Sequence, residues 1–167
     1  MNRRTSNQAG FTLPEVLIAS AILAYAVAAI TYAISTGHAQ TYNALHELRA
    51  LSLAESLMEE IVAKPYVDPQ GAGAVGGPDA GEASRADFDN CDDYHGFTET
   101  IGNLHDAQGA AYPAAFAPYS RSVTAVYENL SFTALGETIA GLTVTVTVTD
   151  DHGRSWQAAR FIAESQE

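Results

Sequence analysis

Cations are scarce in this chain. Of its 167 residues, 8 are Lys or Arg against 20 Asp or Glu, for a formal net charge of −12. No basic stripe exists to meet phosphates, which argues against a nucleic-acid partner. Anionic surfaces would repel so acidic a body. Cysteine is nearly absent, and the single Cys91 permits no internal disulfide. Catalytic signatures are missing as well: there is no Gly-x-Ser-x-Gly, no phosphate-binding loop and no paired-cysteine motif. His46-Glu47 begins like a zinc-protease helix, but the residue four after the histidine is Ala50, so the second ligand is lacking. His38, His46, His95, His105 and His152 are scattered without metal-ligand spacing. No enzyme is expected, and no internal repeat is visible.

What the chain does have is one long apolar run, from Phe11 to Ile34, with a single charge, Glu15. At ~1.5 Å per residue this makes about 36 Å of helix, enough to cross a hydrocarbon core of about 30 Å with some tilt. Met1 to Gly10 is short and polar and carries Arg3 and Arg4, which reads as a cytoplasmic stub. A secretory signal peptide is one reading, since Ala24-Tyr25-Ala26 and Ala26-Val27-Ala28 mimic its cleavage pattern. The run is too long for that, and its acidic residue is out of place. A plain membrane anchor leaves Glu15 unexplained, because a carboxylate in a bilayer costs several kcal/mol unless it is neutralised.

The segment Gly10-Phe11-Thr12-Leu13-Pro14-Glu15-Val16-Leu17 resembles the class III leader of type IV pilins and pseudopilins. The resemblance implies cutting between Gly10 and Phe11 by a prepilin peptidase on the cytoplasmic side, followed by N-methylation of Phe11. Glu15 becomes the fifth mature residue, the family's assembly glutamate. Pro14 departs from the usual aliphatic residue, and proline in a first helical turn is tolerated. Loss of the first ten residues removes two arginines and takes the charge from −12 to −14. The new amine at Phe11 and a neighbour's Glu15 would pair in the bilayer. Each is costly alone, so the pair would fix the register of neighbouring subunits.

Beyond Ser35 the pattern turns amphipathic. Leu45, Leu48, Leu51, Ala54, Met58 and Ile61 form one stripe, with Glu55 and Glu59 opposite, and Lys64-Pro65 ends the run. One helix is expected over Thr12–Ala63, with Gly37 its weak point. Residues 65–86, rich in Gly and Pro, read as a loop.

Next comes Asp87-Phe88-Asp89-Asn90-Cys91-Asp92-Asp93-Tyr94. Its aspartates suggest a hard cation bound by oxygen, so Asp87, Asp89, Asp92 and Asp93 are candidate calcium ligands. The EF-hand template fails, because the sixth place holds Asp92 and the twelfth Thr98. A solvated acidic turn whose aspartates cap backbone N–H groups is the competing reading. The segment, with Leu57–Ile61 and Lys64-Pro65-Tyr66, is similar to one in minor pilins of the mannose-sensitive haemagglutinin type. Cys91 reads as a small buried apolar residue.

Strict alternation over Leu142–Thr149 marks a strand, and Asp150-Asp151-His152-Gly153 a turn. Ser155–Ile162 should pair back, with Trp156 or Phe161 turned inward. Arg121–Glu128 and, more weakly, Phe97–Ile101 are further strands, and 107–118 is loop. The expectation is an α+β, pilin-like fold: a long N-terminal helix on an antiparallel sheet of about four strands. Its segments are a leader (1–10), a membrane and assembly helix (11–34), an amphipathic half (35–64), a loop (65–86) and a sheet domain (87–167). The resemblance implies a minor pilin or a type II secretion pseudopilin. Its partners would be prepilin peptidase/methylase, other pilins and an inner-membrane assembly platform. It would sit in the inner membrane with its C-terminal domain periplasmic, then in a surface filament. A membrane-anchored calcium- or ligand-binding module is the rival outside this class.

Overall fold

The computed structural model describes residues 10–69, 71, 76–132 and 136–164. Leader residues 1–9, with Arg3 and Arg4, fall outside this set, as do residues 70 and 72–75 of the Gly/Pro-rich loop. Helix α1 spans Leu13–Val62, within one residue of each expected end. Strands β1 (Thr98–Glu99), β2 (Tyr119–Phe132), β3 (Glu137–Asp150) and β4 (Ser155–Ala163) form one antiparallel sheet in chain order. The chain is α+β with a pilin-like plan. It divides into two compact units, one ending at Ala44 and the other beginning at Leu45.

In the first unit the helix exposes its apolar residues all round. Ile18, Ile22, Leu23 and Ile30 are each 60% exposed or more, the pattern of a helix whose solvent is not water. Its hydroxyls close onto its own backbone. Ser20 donates to Leu17 O and Thr31 to Val27 O, each at 2.9 Å, so neither needs an outside partner.

In the second unit α1 buries His46, Ala50, Leu53, Ala54, Leu57, Met58 and Ile61. This corrects the expected stripe. Ala54, Met58 and Ile61 do face the core, and Glu55 and Glu59 are exposed, but Leu45 and Leu48 are 43% and 65% exposed and Leu51 is only half-buried. The stripe advances by 3.6 residues per turn from His46, and the two leucines lie off that line.

Facing α1 are Tyr119, Val123 and Ala125 of β2 and Leu142, Val144, Val146 and Val148 of β3, all buried, with the β3 threonines on the far face. Strands β2 and β3 are longer than the apolar alternation suggested, and they pair without a break from Tyr119↔Asp150 to Phe132↔Glu137. The Phe97–Ile101 segment narrows to two strand residues. The 107–118 loop holds a 3-10 turn, Ala114–Phe116, and a His105↔Ala111 bridge. Of the two aromatic candidates on β4, Trp156 packs on the core. Phe161 instead lies over Gly141 on the outer face, where a Cβ would collide with its ring and with Ile162 O.

The β2 edge beside β1 is closed by the chain before it. Gly96 N bonds Val123 O at 3.0 Å, Val123 N bonds Phe97 O at 2.9 Å, and Ala125 N donates to the His95 ring at 3.1 Å. At the β3–β4 turn, Asp150 Oδ1 accepts His152 N and Arg154 N, and Gly153 takes φ 79°. Only glycine adopts that backbone cheaply.

Candidate functional site

The first site is the start of α1. Gly10 and Phe11 precede the helix, and Phe11 is 83% exposed. Thr12 is the cap residue. Its carbonyl accepts Val16 N at 3.2 Å, and its N–H donates to Glu15 Oε2 at 3.5 Å. The spacing Thr-x-x-Glu is that of a capping box, in which the third helical residue reaches back to the cap N–H. A carboxylate in the first turn also meets the positive end of the helix dipole. Gly10, Phe11 and Glu15 are thus brought within one turn, with the carboxylate at the helix mouth. Gly10 takes no left-handed φ, and a Cβ placed there would meet nothing within 4 Å.

The second candidate, the acidic turn, is not the arrangement the sequence suggested. Asp87 Oδ2 accepts Ser84 N at 3.1 Å and Ser84 Oγ at 2.7 Å. Asp92 Oδ2 accepts Tyr127 Oη at 2.8 Å and Gly76 N at 3.3 Å. Asp93 Oδ2 accepts the N–H groups of Asp89 (2.9 Å) and Asn90 (3.0 Å), while Asn90 Oδ1 accepts those of Asp92 and Asp93. The aspartates therefore do cap backbone donors, and the turn is only partly solvated: Asp87 is exposed and Asp89 half-buried, whereas Asp92 and Asp93 are 5% and 1% exposed. Asp89 and Asp93 converge with Glu82, and one carboxylate oxygen from each lies within 4.8 Å of the others. Asp87 and Asp92 are spent elsewhere. Glu82 accepts Asp79 N, which favours its charge. Burial and the charges of Asp93 and Asp89 outweigh this and push its carboxyl above the ordinary value.

Cys91 is buried, as expected, and its thiol donates towards Ile61 O and Lys64 O at the end of α1. Burial, then Asp92 and Asp93, push it up to about 11. A thiol so protonated is inert.

Sequence reasoning missed a network of four charges. Arg121, with no exposed side-chain surface, donates Nε to Glu99 Oε2 at 2.7 Å and Nη2 to His105 O at 2.6 Å. Arg85 bonds Glu60 through Nε at 2.7 Å and through Nη2, and reaches Glu99 Oε1 at 3.2 Å through Nη1. Tyr94 Oη donates to Glu60 Oε1 at 2.8 Å. Helix, loop and sheet are tied together through these groups. One signal was available: Arg121 is in phase with Val123 and Ala125, so the strand period turns it inward. Each charge here has a partner of opposite sign, and the arrangement is structural in kind.

Residues 5–31 match the family model for the prokaryotic N-terminal methylation motif. No match was found among curated proteins, nor among solved structures. The helix that starts inside the motif is long and apolar enough to cross a membrane. The match covers the leader and the first part of the helix, and it supports a type IV pilin-like prepilin whose class III leader is of the kind that prepilin peptidase processes.

Proposed function

We propose that the chain is a minor pilin, cut between Gly10 and Phe11, N-methylated on Phe11 and built into a filament through Glu15. The observation that carries the processing step is the N-terminal methylation motif matched over residues 5–31, which contains Gly10, Phe11 and Glu15. Gly10 has open space around it and stands ahead of the helix, so a side chain there would test recognition of the leader rather than the fold. The body would be periplasmic after insertion, since Arg3 and Arg4 keep the stub on the cytoplasmic side. An inner-membrane platform would then deliver the subunit to the filament.

Glu15 fits the assembly role because its carboxylate lies in the first helical turn, facing Thr12 N, in the same stretch of chain as the amine that cutting would create at Phe11. In a dry bundle a neighbour's amine and this carboxylate would offset each other's burial. A type II secretion pseudopilin uses the same N-terminal chemistry and is the second reading within the class. Outside it stands an anchored calcium-binding module.

The test follows the full chain through membranes and sheared appendages by mass. Gly10→Ser should leave a protein about ten residues longer and unchanged in thermal stability. Glu15→Ala should be trimmed normally yet recovered in filaments at a small fraction of the wild-type level. Normal incorporation of Glu15→Ala would remove the pairing argument. If both variants behaved as wild type, and calcium raised the unfolding temperature of the wild type but not of Asp89→Ala, the calcium-binding module would replace the filament reading.

A further inference from the structure

We infer that Pro14 is a positioning residue for leader removal: it keeps the carbonyl of the Gly10–Phe11 bond out of the helix, open to the peptidase. The inference rests on the processing reading above. In an α-helix the carbonyl of residue i accepts the N–H of residue i+4. For Gly10 that donor would come from residue 14, which is proline and has none. The carbonyl of the bond to be cut is thus the one acceptor in this stretch whose helical donor the sequence deletes.

The surrounding geometry agrees. α1 begins at Leu13, and Gly10 and Phe11 stand exposed ahead of it. Thr12 N–H is turned to Glu15 Oε2, so the cap residue donates forward into the helix rather than back towards the leader. Glycine at position 10 is itself a poor helix former. Three neighbouring devices therefore act together: the missing N–H of Pro14, the Thr12–Glu15 cap and Gly10. Each opposes growth of the helix back through Phe11 towards the leader. A peptidase needs the scissile carbonyl free, because its oxygen must be polarised while its carbon is attacked. A carbonyl already engaged by an i+4 donor and wrapped in a helical turn offers neither.

The experiment uses the full chain in membranes containing a prepilin peptidase and follows the ten-residue loss by mass. Pro14→Ala restores the donor and should slow trimming about fivefold, the scale of a partly formed extra turn. The Gly10 carbonyl carbon, labelled and observed by NMR in micelles, should shift towards its helical value. Leu13→Pro added to Pro14→Ala places a proline at the first helical position, stops the helix again and should restore both rate and shift. A Pro14→Ala chain cut at the wild-type rate would overturn the inference and leave the processing reading intact. A slowed rate without a carbonyl shift, or without rescue by Leu13→Pro, would also overturn it, pointing instead to direct contact between Pro14 and the enzyme. A wild-type chain that is never cut would remove the processing reading itself.

Discussion

Arg121 brings a full charge into the core beside Val123 and Leu53, and its partners explain why that is tolerable. Glu99 neutralises it, His105 O and Leu53 O fill further donors, and the Tyr112 ring stacks 5.4 Å from the guanidinium carbon. Glu99 keeps Arg85 and the His105 N–H if Arg121 is removed, whereas Arg121 has no other carboxylate among the described residues if Glu99 is removed. Glu99→Leu should therefore destabilise the fold by about 3–5 kcal/mol in chemical denaturation. Adding Arg121→Met should recover part of that loss, and the double-mutant cycle would give the coupling directly.

The pH dependence at this scale follows Glu60. Burial opposes its charge, but hydrogen bonds from Arg85 and Tyr94 and the charges of Arg85 and Arg121 hold its carboxyl below the ordinary value. A carboxyl depressed in the folded state contributes stability that is fully present above its unfolded value of about 4.3 and is lost as pH falls through the depressed one. Thermal unfolding midpoints should therefore drop on acidification below that range. Glu60→Gln should lose part of that acid sensitivity while starting from a lower midpoint. The rest belongs to groups such as Asp150, whose burial opposes its charge but whose hydrogen bonds from Arg154 and His152 hold it low.

At the scale of elements, the strands were largely legible. Alternation over Leu142–Thr149 identifies the buried face of β3, and its cross-strand partners on β2 repeat the same period. The helical stripe was less so. Leu45 and Leu48 are the strongest apolar signals in that stretch, yet the packed line runs through His46 and Ala50. His46 enters the core because Tyr119 Oη meets its Nδ1 at 2.8 Å, a partner 73 residues away that no local pattern reveals. The Arg85 network was hidden for the same reason: it joins α1, a loop and β1, and only the tertiary fold makes them neighbours. The acidic turn was legible in composition but not in placement, since Asp87 and Asp92 find separate backbone and tyrosine donors. The corrected stripe makes a clear expectation. Leu57→Ala should cost about 2–5 kcal/mol, whereas Leu48→Ala, equally apolar but off the packed line, should stay within about 0.5 kcal/mol.

At the scale of the whole molecule, no buried side chain among the described residues precedes His46. The compact unit beginning at Leu45 contains the core, the sheet and the charge network. A chain starting at Leu45 should accordingly fold by itself in water. Circular dichroism should show a cooperative thermal transition, and the chain should remain monomeric without detergent.

The same boundary has a consequence for how this protein tolerates change. On the function proposed above, a substitution before position 45 is judged by lipid, by the enzyme that trims the leader and by adjoining subunits. One after it is judged first by whether the sheet still closes over the helix. The two halves answer to different examiners, and on that reading a foreign headpiece grafted onto this anchor would inherit its route to the filament without renegotiating its own interior.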